Sequence, residues 1–162
     1  MKSMHGKGAM WLFATACSVV VAFGAGQTAT MSDTRGEQIL NQSCTSCHEL
    51  RNIETQALDK DGWTTKVKAM IDKGAAVKAE DVPGFVDFLV RKHGPLPEGA
   101  GKRVMLSVCT QCHDLQRIRV QPETRDEWEA TLQAMLNEGA PLSDEDFPII
   151  LNYLARNFGP KE

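Results

Sequence analysis

Two kinds of segment are missing from this 162-residue sequence, and both absences limit the fold. After residue 30 there is no apolar run of the roughly 20 residues that a bilayer-spanning helix needs. No alternating apolar pattern is long enough for a sheet either, so we predict an all-α fold. An excess of basic residues is also absent, since the formal net charge is −3. This acidic balance argues against nucleic acid as a partner and is compatible with docking onto a basic protein patch.

The first acidic residue is Asp33, and the segment before it has the layout of a secretory signal. Lys2 and Lys7 precede an apolar run that is too short for a bilayer span, and small residues follow the run. We therefore predict that residues 1–29 are a cleavable signal peptide and that the mature protein is periplasmic. Cys17 offers an alternative interpretation as a lipid-attachment cysteine, but the apolar run continues past it.

The mature chain is an internal repeat with a constant spacing of 65 residues, the separation of Cys44 from Cys109. A repeat of this kind indicates that each copy is one structural unit. Identical residues at matching positions include Gly36 and Gly101, Trp63 and Trp128, Met70 and Met135, Gly74 and Gly139, and Gly94 and Gly159. Segment 94–101 has the glycine and proline density of a linker. We therefore predict two domains, residues 30–97 and residues 98–162, with a boundary near Pro97.

Each unit is predicted to contain three helices, the first of which leads into a cysteine motif. The second helix begins at Asp59 in one copy and at Thr124 in the other, where Glu127 completes a capping box. It ends at Gly74 or Gly139. The third helix is expected to begin near Lys78 or Ser143, to end at Gly94 or Gly159, and to bury Phe85, Phe88, Leu89, Ile150, Tyr153 and Leu154.

The motif Cys-x-x-Cys-His occurs once in each unit. Its residues are Cys44, Cys47 and His48 in the first copy, and Cys109, Cys112 and His113 in the second. Two thiols at this spacing reach the two vinyl groups of one haem, and the adjacent histidine places its imidazole on the iron. A unit of about 60 residues also needs a staple, because it buries too little apolar surface to be securely stable alone. We therefore predict two covalent haem c groups, each at the centre of one unit.

Three other interpretations of the cysteines remain open: a shared tetrahedral zinc site, a disulfide in each pair, or thioredoxin-like redox centres. All three leave the histidine of the motif unexplained. A shared zinc site would tie the copies into one unit, whereas each copy repeats its own helices.

The sixth iron ligand is less well defined. Met70 and Met135 are the only methionines that recur at matching positions, and a thioether ligand would raise the haem potential. The alternative is that both methionines are adaptable core residues. His93 has no histidine counterpart, and we predict that it is a partly charged imidazole stabilised at a helix C-terminus, with iron ligation as the alternative.

With these motifs in place, the chain resembles tandem monohaem cytochrome c domains of the class I type over about residues 33–162. Segment 109–160 is especially similar to the small haem domains that accept electrons from periplasmic sulfite dehydrogenases and from quinoprotein alcohol or amine dehydrogenases. The resemblance implies such a dehydrogenase as a partner. One departure concerns the axial methionine, which in the commoner class I pattern stands in a loop between the last two helices. Here that loop shrinks to residues 75–77 or 140–142.

The function expected from these features is single-electron transfer between a dehydrogenase and a respiratory acceptor, without catalysis by the chain itself. The alternative is a small dihaem peroxidase or reductase in which one iron has an open coordination position. A gas sensor would also need an output domain.

Overall fold

The computed structural model describes residues 30–161, and the predicted signal peptide with Cys17 lies outside this range. Within the range, all regular structure is helical, which confirms the predicted all-α class. The α-helices in chain order are α1 (Asp33–Ile39), α2 (Arg51–Glu54), α3 (Lys60–Asp72), α4 (Val82–His93), α5 (Ala100–Ser107), α6 (Gln116–Val120), α7 (Arg125–Asn137) and α8 (Asp146–Asn157). A π-helical segment, Leu40–Cys44, follows α1, and a 3₁₀ turn, Cys109–Gln111, follows α5. Between residues 30 and 161, no helix combines the length and apolar character needed to cross a membrane.

The prediction of three helices per unit was wrong by one, because each half contains an additional short helix after its cysteine motif. These are α2 with 4 residues and α6 with 5 residues. A helix of about one turn is too short to show an amphipathic period in the sequence. Each buries a single isoleucine, Ile53 or Ile118.

The middle helix of each half begins and ends where the sequence predicts. The side chain of Asp59 accepts from the backbone N–H of Gly62 at 2.8 Å, and Thr124 forms the predicted capping box with Glu127. Gly74 and Gly139 have φ values of +100° and +93° and stand just after the helix ends. This left-handed conformation favours glycine because it has no Cβ.

The same pair of hydrogen bonds closes α3 and α7, and it holds the backbone of the two recurring methionines. The carbonyl of Met70 accepts from the N–H of Ala75 at 3.0 Å, and the carbonyl of Met135 accepts from Ala140 at 2.9 Å. A second bond joins each glycine N–H to a carbonyl one residue later in the helix. Together they form the Schellman arrangement, so each methionine belongs to a rigid helix end rather than to a loop.

The last helix of each half begins a few residues later than expected. α4 begins at Val82 instead of near Lys78, and α8 begins at Asp146 instead of near Ser143. In the first half a turn precedes the helix, with Asp81 N–H donating to the Lys78 carbonyl at 3.0 Å. The helix ends, by contrast, lie at or next to the predicted glycines.

Two separate hydrophobic cores lie in the two halves. The fully buried residues of the first core are Ile39, Leu40, Ile53, Trp63, Val67, Phe85, Val86, Phe88 and Leu89. Those of the second are Leu96, Val104, Met105, Leu115, Ile118, Trp128, Leu132, Ile150, Leu151, Tyr153 and Leu154. All six apolar residues predicted to be buried by the third helices are in these cores. Leu96, which the sequence assigns to the first domain, packs in the second core, whereas Met31 packs against the first.

Each core contains one place where two helices approach through a glycine. Gly36 in α1 lies against the ring of Phe88 in α4, and Gly101 in α5 lies against Tyr153 in α8. A side chain at either glycine would overlap these atoms. The recurrence of glycine at this position in the sequence therefore has a packing cause.

Candidate functional site

The first cysteine motif opens onto a cavity of about 450 Å³ in the first half. This volume falls within the range of roughly 300–1,000 Å³ that small-molecule and cofactor sites occupy. The lining includes all four residues that the sequence assigns to the site and a fully buried tryptophan: Cys44, Cys47, His48, Met70 and Trp63. The wall is completed by apolar side chains, among them Val67 and Leu89. The structure therefore brings the predicted residues of the first half together around one apolar space.

The second half has a smaller cavity, of about 230 Å³, around the matching residues. Cys109, His113, Trp128 and Met135 line this cavity, whereas Cys112 is exposed and does not. In the first half the cavity extends to Ser43, Val77 and Phe85. The matching residues of the second half are Val108, Leu142 and Ile150, none of which lines the second cavity.

The difference in volume has a cause in two of these substitutions. Val108 and Leu142 carry more apolar volume than Ser43 and Val77, and both pack against the second core. The second cavity is therefore smaller than the first, and its lining has one motif cysteine instead of two.

Both motif histidines have the same hydrogen bond. Nδ1 of His48 lies 3.0 Å from the carbonyl oxygen of Glu49, and Nδ1 of His113 lies 2.7 Å from that of Asp114. A carbonyl oxygen only accepts, so this contact requires a proton on Nδ1, and in the neutral ring Nε2 then keeps its lone pair. This tautomer is the one in which Nε2 is free to bind a metal.

All four motif thiols are free, and the two less exposed ones, Cys44 and Cys109, do not have the character of reactive thiolates. Burial raises the pKa of Cys44, and burial raises the pKa of Cys109 to about 11. A thioredoxin-like centre needs a thiol whose pKa is lowered by neighbouring positive charge. Because both shifts have the opposite sign, this alternative receives no support from the two buried thiols.

The cysteines of the two halves line different cavities. Within residues 30–161, no three or more His, Cys, Asp or Glu side chains come close enough together to hold a metal ion. A structural zinc site needs four ligands at one point. The shared zinc site therefore has no geometric counterpart in the described part of the chain.

Positive side chains also line the cavities. Lys66 and Lys73 line the first, and Arg117 lines the second. Lys66 lies in α3 four residues before Met70, and Lys73, the residue that follows α3, lies three residues after it, so both are on the side of the helix that carries Met70. That spacing is the signal from which they were predictable.

The prediction of a partly charged His93 is wrong. The residue ends α4, as expected, but burial and then the charge of Arg119 lower the pKa of His93 to about 4. Its ring packs edge-on to Trp63 at a centroid distance of 6.3 Å, and its carbonyl accepts from the Trp63 Nε1–H at 3.1 Å. His93 is not among the residues that line the first cavity. Desolvation by tertiary packing therefore outweighs the helix dipole here.

The lowered pKa of His93 predicts a pH dependence of stability. In the unfolded chain the imidazole takes up a proton near pH 6.5, whereas in the folded chain it does so near pH 4, so the unfolded state binds more protons between these values. Stability is therefore retained above pH 6.5 and is lost as the pH falls toward 4. We expect His93→Phe, which introduces the side chain of Phe158 at the matching position, to reduce the loss of unfolding free energy between pH 7 and 5. Allowing for the partly exposed ring, the reduction is about 1 kcal/mol.

Urea unfolding of wild type and His93→Phe at the two pH values measures this difference directly. Carboxyl groups such as Asp33 also have a lowered pKa and destabilise the fold in acid, but they are common to both proteins. Equal pH dependence in the two proteins would contradict a neutral, desolvated His93.

Comparison of the chain with protein families, with curated proteins and with solved structures found no match.

Proposed function

We propose that this protein is a periplasmic dihaem c-type cytochrome that carries single electrons between a dehydrogenase and a respiratory acceptor. In this proposal residues 30–97 and 98–162 are tandem cytochrome c domains, each wrapped around one covalent haem c. The observation that carries the proposal is the repeated convergence of motif cysteine, histidine, methionine and tryptophan on a cavity in each half. The matching tautomer of the two histidines supports it independently.

Cysteine attachment fits the state of the thiols. Each thiol would add across one vinyl group of a haem, with the sulfur bonding to one carbon and the hydrogen going to the other. No oxidant or reductant is consumed, so a buried, protonated thiol is a suitable starting group. Cys44 and the exposed Cys47 both line the first cavity, whereas in the second half Cys109 lines the cavity and the exposed Cys112 does not.

The cavity lining supports the proposed iron ligands. His48 and His113 offer Nε2, and Met70 and Met135 offer a thioether from the rigid ends of α3 and α7. Bound haem supplies a one-electron iron couple, and methionine as the second axial ligand raises its potential. Apolar side chains that include Leu89 form part of the wall of the first cavity.

The basic residues at the cavities complement the acidic edge of a haem. Lys66, Lys73 and Arg117 are exposed side chains that reach the cavity linings, where they offer positive charge to propionate groups. The remaining surface is acidic in balance, since the formal net charge of the chain is −3. A basic docking patch on the partner protein is therefore favoured.

Carbon monoxide binding to leucine variants tests the axial ligands. Met70→Leu and Met135→Leu nearly preserve side-chain volume but remove the thioether. We expect each variant to bind carbon monoxide at one ferrous haem, whereas the wild type binds none. We also expect one midpoint potential of each variant to be lower than in the wild type. Met105→Leu is the matched control, because Met105 is fully buried away from the cavities and Leu40 occupies its matching position.

The outcomes separate the competing functions. Unchanged spectra and potentials in both variants would identify the methionines as core residues. Prompt binding of carbon monoxide by one haem of the wild type would instead favour the peroxidase or reductase alternative. Exported, matured protein whose mass shows no added haem would contradict the whole proposal.

A further inference from the structure

One arginine of the first half donates hydrogen bonds to the cysteine motif of the second half. Arg51 begins α2, three residues after His48, and its guanidinium donates to three successive carbonyl groups. The distances are 2.6 Å to the oxygen of Thr110, 2.5 Å to that of Gln111 and 3.1 Å to that of Cys112. All three carbonyls belong to the turn between the cysteines of the second motif or to its second cysteine. The fixed fork of an arginine suits such multiple donation.

The same junction contains further contacts between the halves. The N–H of Leu115 donates to the carbonyl of Glu54 at 3.4 Å, and Arg119 donates to the carbonyl of Gly94 at 2.5 Å. Ala57 of the first half packs against the second core. The segments that meet here follow directly on the two Cys-x-x-Cys-His motifs. Any group attached to one motif is therefore close to the other unit.

Charge at this junction gives Arg51 a particular role. Burial, and then the negative charge of Asp114 across the junction, raise the pKa of Glu54. Two carboxyl groups facing each other repel when both are ionised. Arg51 contributes positive charge from the same helix as Glu54. At the matching position of the second half stands the neutral Gln116, so this contact is not a product of the repeat.

We propose that Arg51 is a positioning residue that holds the second haem-attachment motif against the first unit and raises the midpoint potential of at least one haem. The inference rests on the proposed function. A fixed positive charge stabilises the reduced, less positive iron, so it raises the potential of a nearby haem.

Two variants separate the charge of Arg51 from its geometry. Arg51→Gln introduces the side chain found at the matching position, while Arg51→Lys keeps the charge but cannot reproduce the three-carbonyl contact. Arg103→Ala is the matched control, because Arg103 is an exposed arginine of the second half that pairs with Asp146 at 2.8 Å. The measurements on the mature protein are intact mass, a spectroscopic redox titration and hydrogen exchange of the Leu115 amide.

We expect Arg51→Gln to carry two haems, to lower at least one midpoint potential, and to exchange the Leu115 amide about tenfold faster than wild type. Arg51→Lys keeps the potentials near those of wild type but also exchanges faster, and Arg103→Ala changes neither quantity. Wild-type potentials and exchange in Arg51→Gln would overturn the inference. If that variant fails to fold, wild-type exchange in Arg51→Lys does so. Haem-free wild type would instead overturn the proposed function.

Discussion

Replacing Cys44 and Cys47 together with serine is expected to leave one covalent haem where the wild type has two. A serine hydroxyl does not form the thioether, and the first cavity then holds nothing at its centre. Because a unit of about 60 residues depends on such a staple, we also expect the helices of the first half to become largely disordered. Intact mass spectrometry measures the loss of one haem, and hydrogen exchange measures the unfolding of α3 and α4.

Two matched variants define this experiment. Cys109→Ser with Cys112→Ser removes the other haem and unfolds the other half. Ser46→Ala, between the cysteines of the first motif, retains both haems, because its exposed hydroxyl donates to the carbonyl of Ser43 at 3.2 Å and lies 3.7 Å from the Cys47 Sγ, and neither contact is needed to form a thioether. Two haems in the Cys44 and Cys47 variant would contradict the assignment of the first motif.

The second large effect concerns the close approach of α5 and α8. A Cβ at Gly101 would overlap the Cβ of Tyr153 and stand 2.5 Å from its Cγ. A Cβ is fixed to the backbone, so no rotation of the tyrosine relieves the overlap and the helices must separate. Overpacking of this kind costs about 3 kcal/mol, and the helix propensity of alanine returns about 1 kcal/mol. We therefore expect Gly101→Ala to reduce the unfolding free energy by about 2 kcal/mol, or to lower Tm by roughly 10 °C.

Gly36→Ala provides a graded comparison in the first half. There the new Cβ would overlap the ring atoms Cδ2 and Cγ of Phe88, which move when the side chain rotates. We expect a smaller loss than for Gly101→Ala. Arg103→Ala in α5 is the surface control, with an expected change below about 1 kcal/mol. Thermal unfolding of all three variants with haem bound measures the order, and equal stability of Gly101→Ala and wild type would contradict the packing argument.

Local signals account for most of the helix boundaries that the sequence predicts correctly. Asp59 and Thr124 cap helices with their own side chains, and Gly74 and Gly139 adopt a backbone conformation that depends on a few neighbouring residues. Such features need no knowledge of the rest of the fold. The convergence of the motif residues with Met70 was also predictable, because the repeat left few recurring candidates.

Tertiary contacts account for the features that the sequence did not predict. The pKa of His93 depends on desolvation and on Arg119, which comes from the other half of the chain. The hydrogen bonds of Arg51 likewise join residues that are about sixty positions apart. The unequal cavities result from how Val108 and Leu142 pack, which no local pattern reports. Pattern and spacing identify candidate donors, but only packing determines the space between them.

The position of Leu96 locates the boundary between the two repeats more closely than the linker composition does. With the constant spacing of 65 residues, Leu96 matches Met31. Each is an apolar residue that precedes the first helix of its half and packs against the core of that half. The hydroxyl of Tyr153 also donates to the carbonyl of Pro97 at 2.7 Å, so the segment that contains Leu96 and Pro97 is bonded to the second half. A fragment of the second half that begins at Leu96 therefore keeps this core residue, whereas a fragment that begins after Pro97 lacks it.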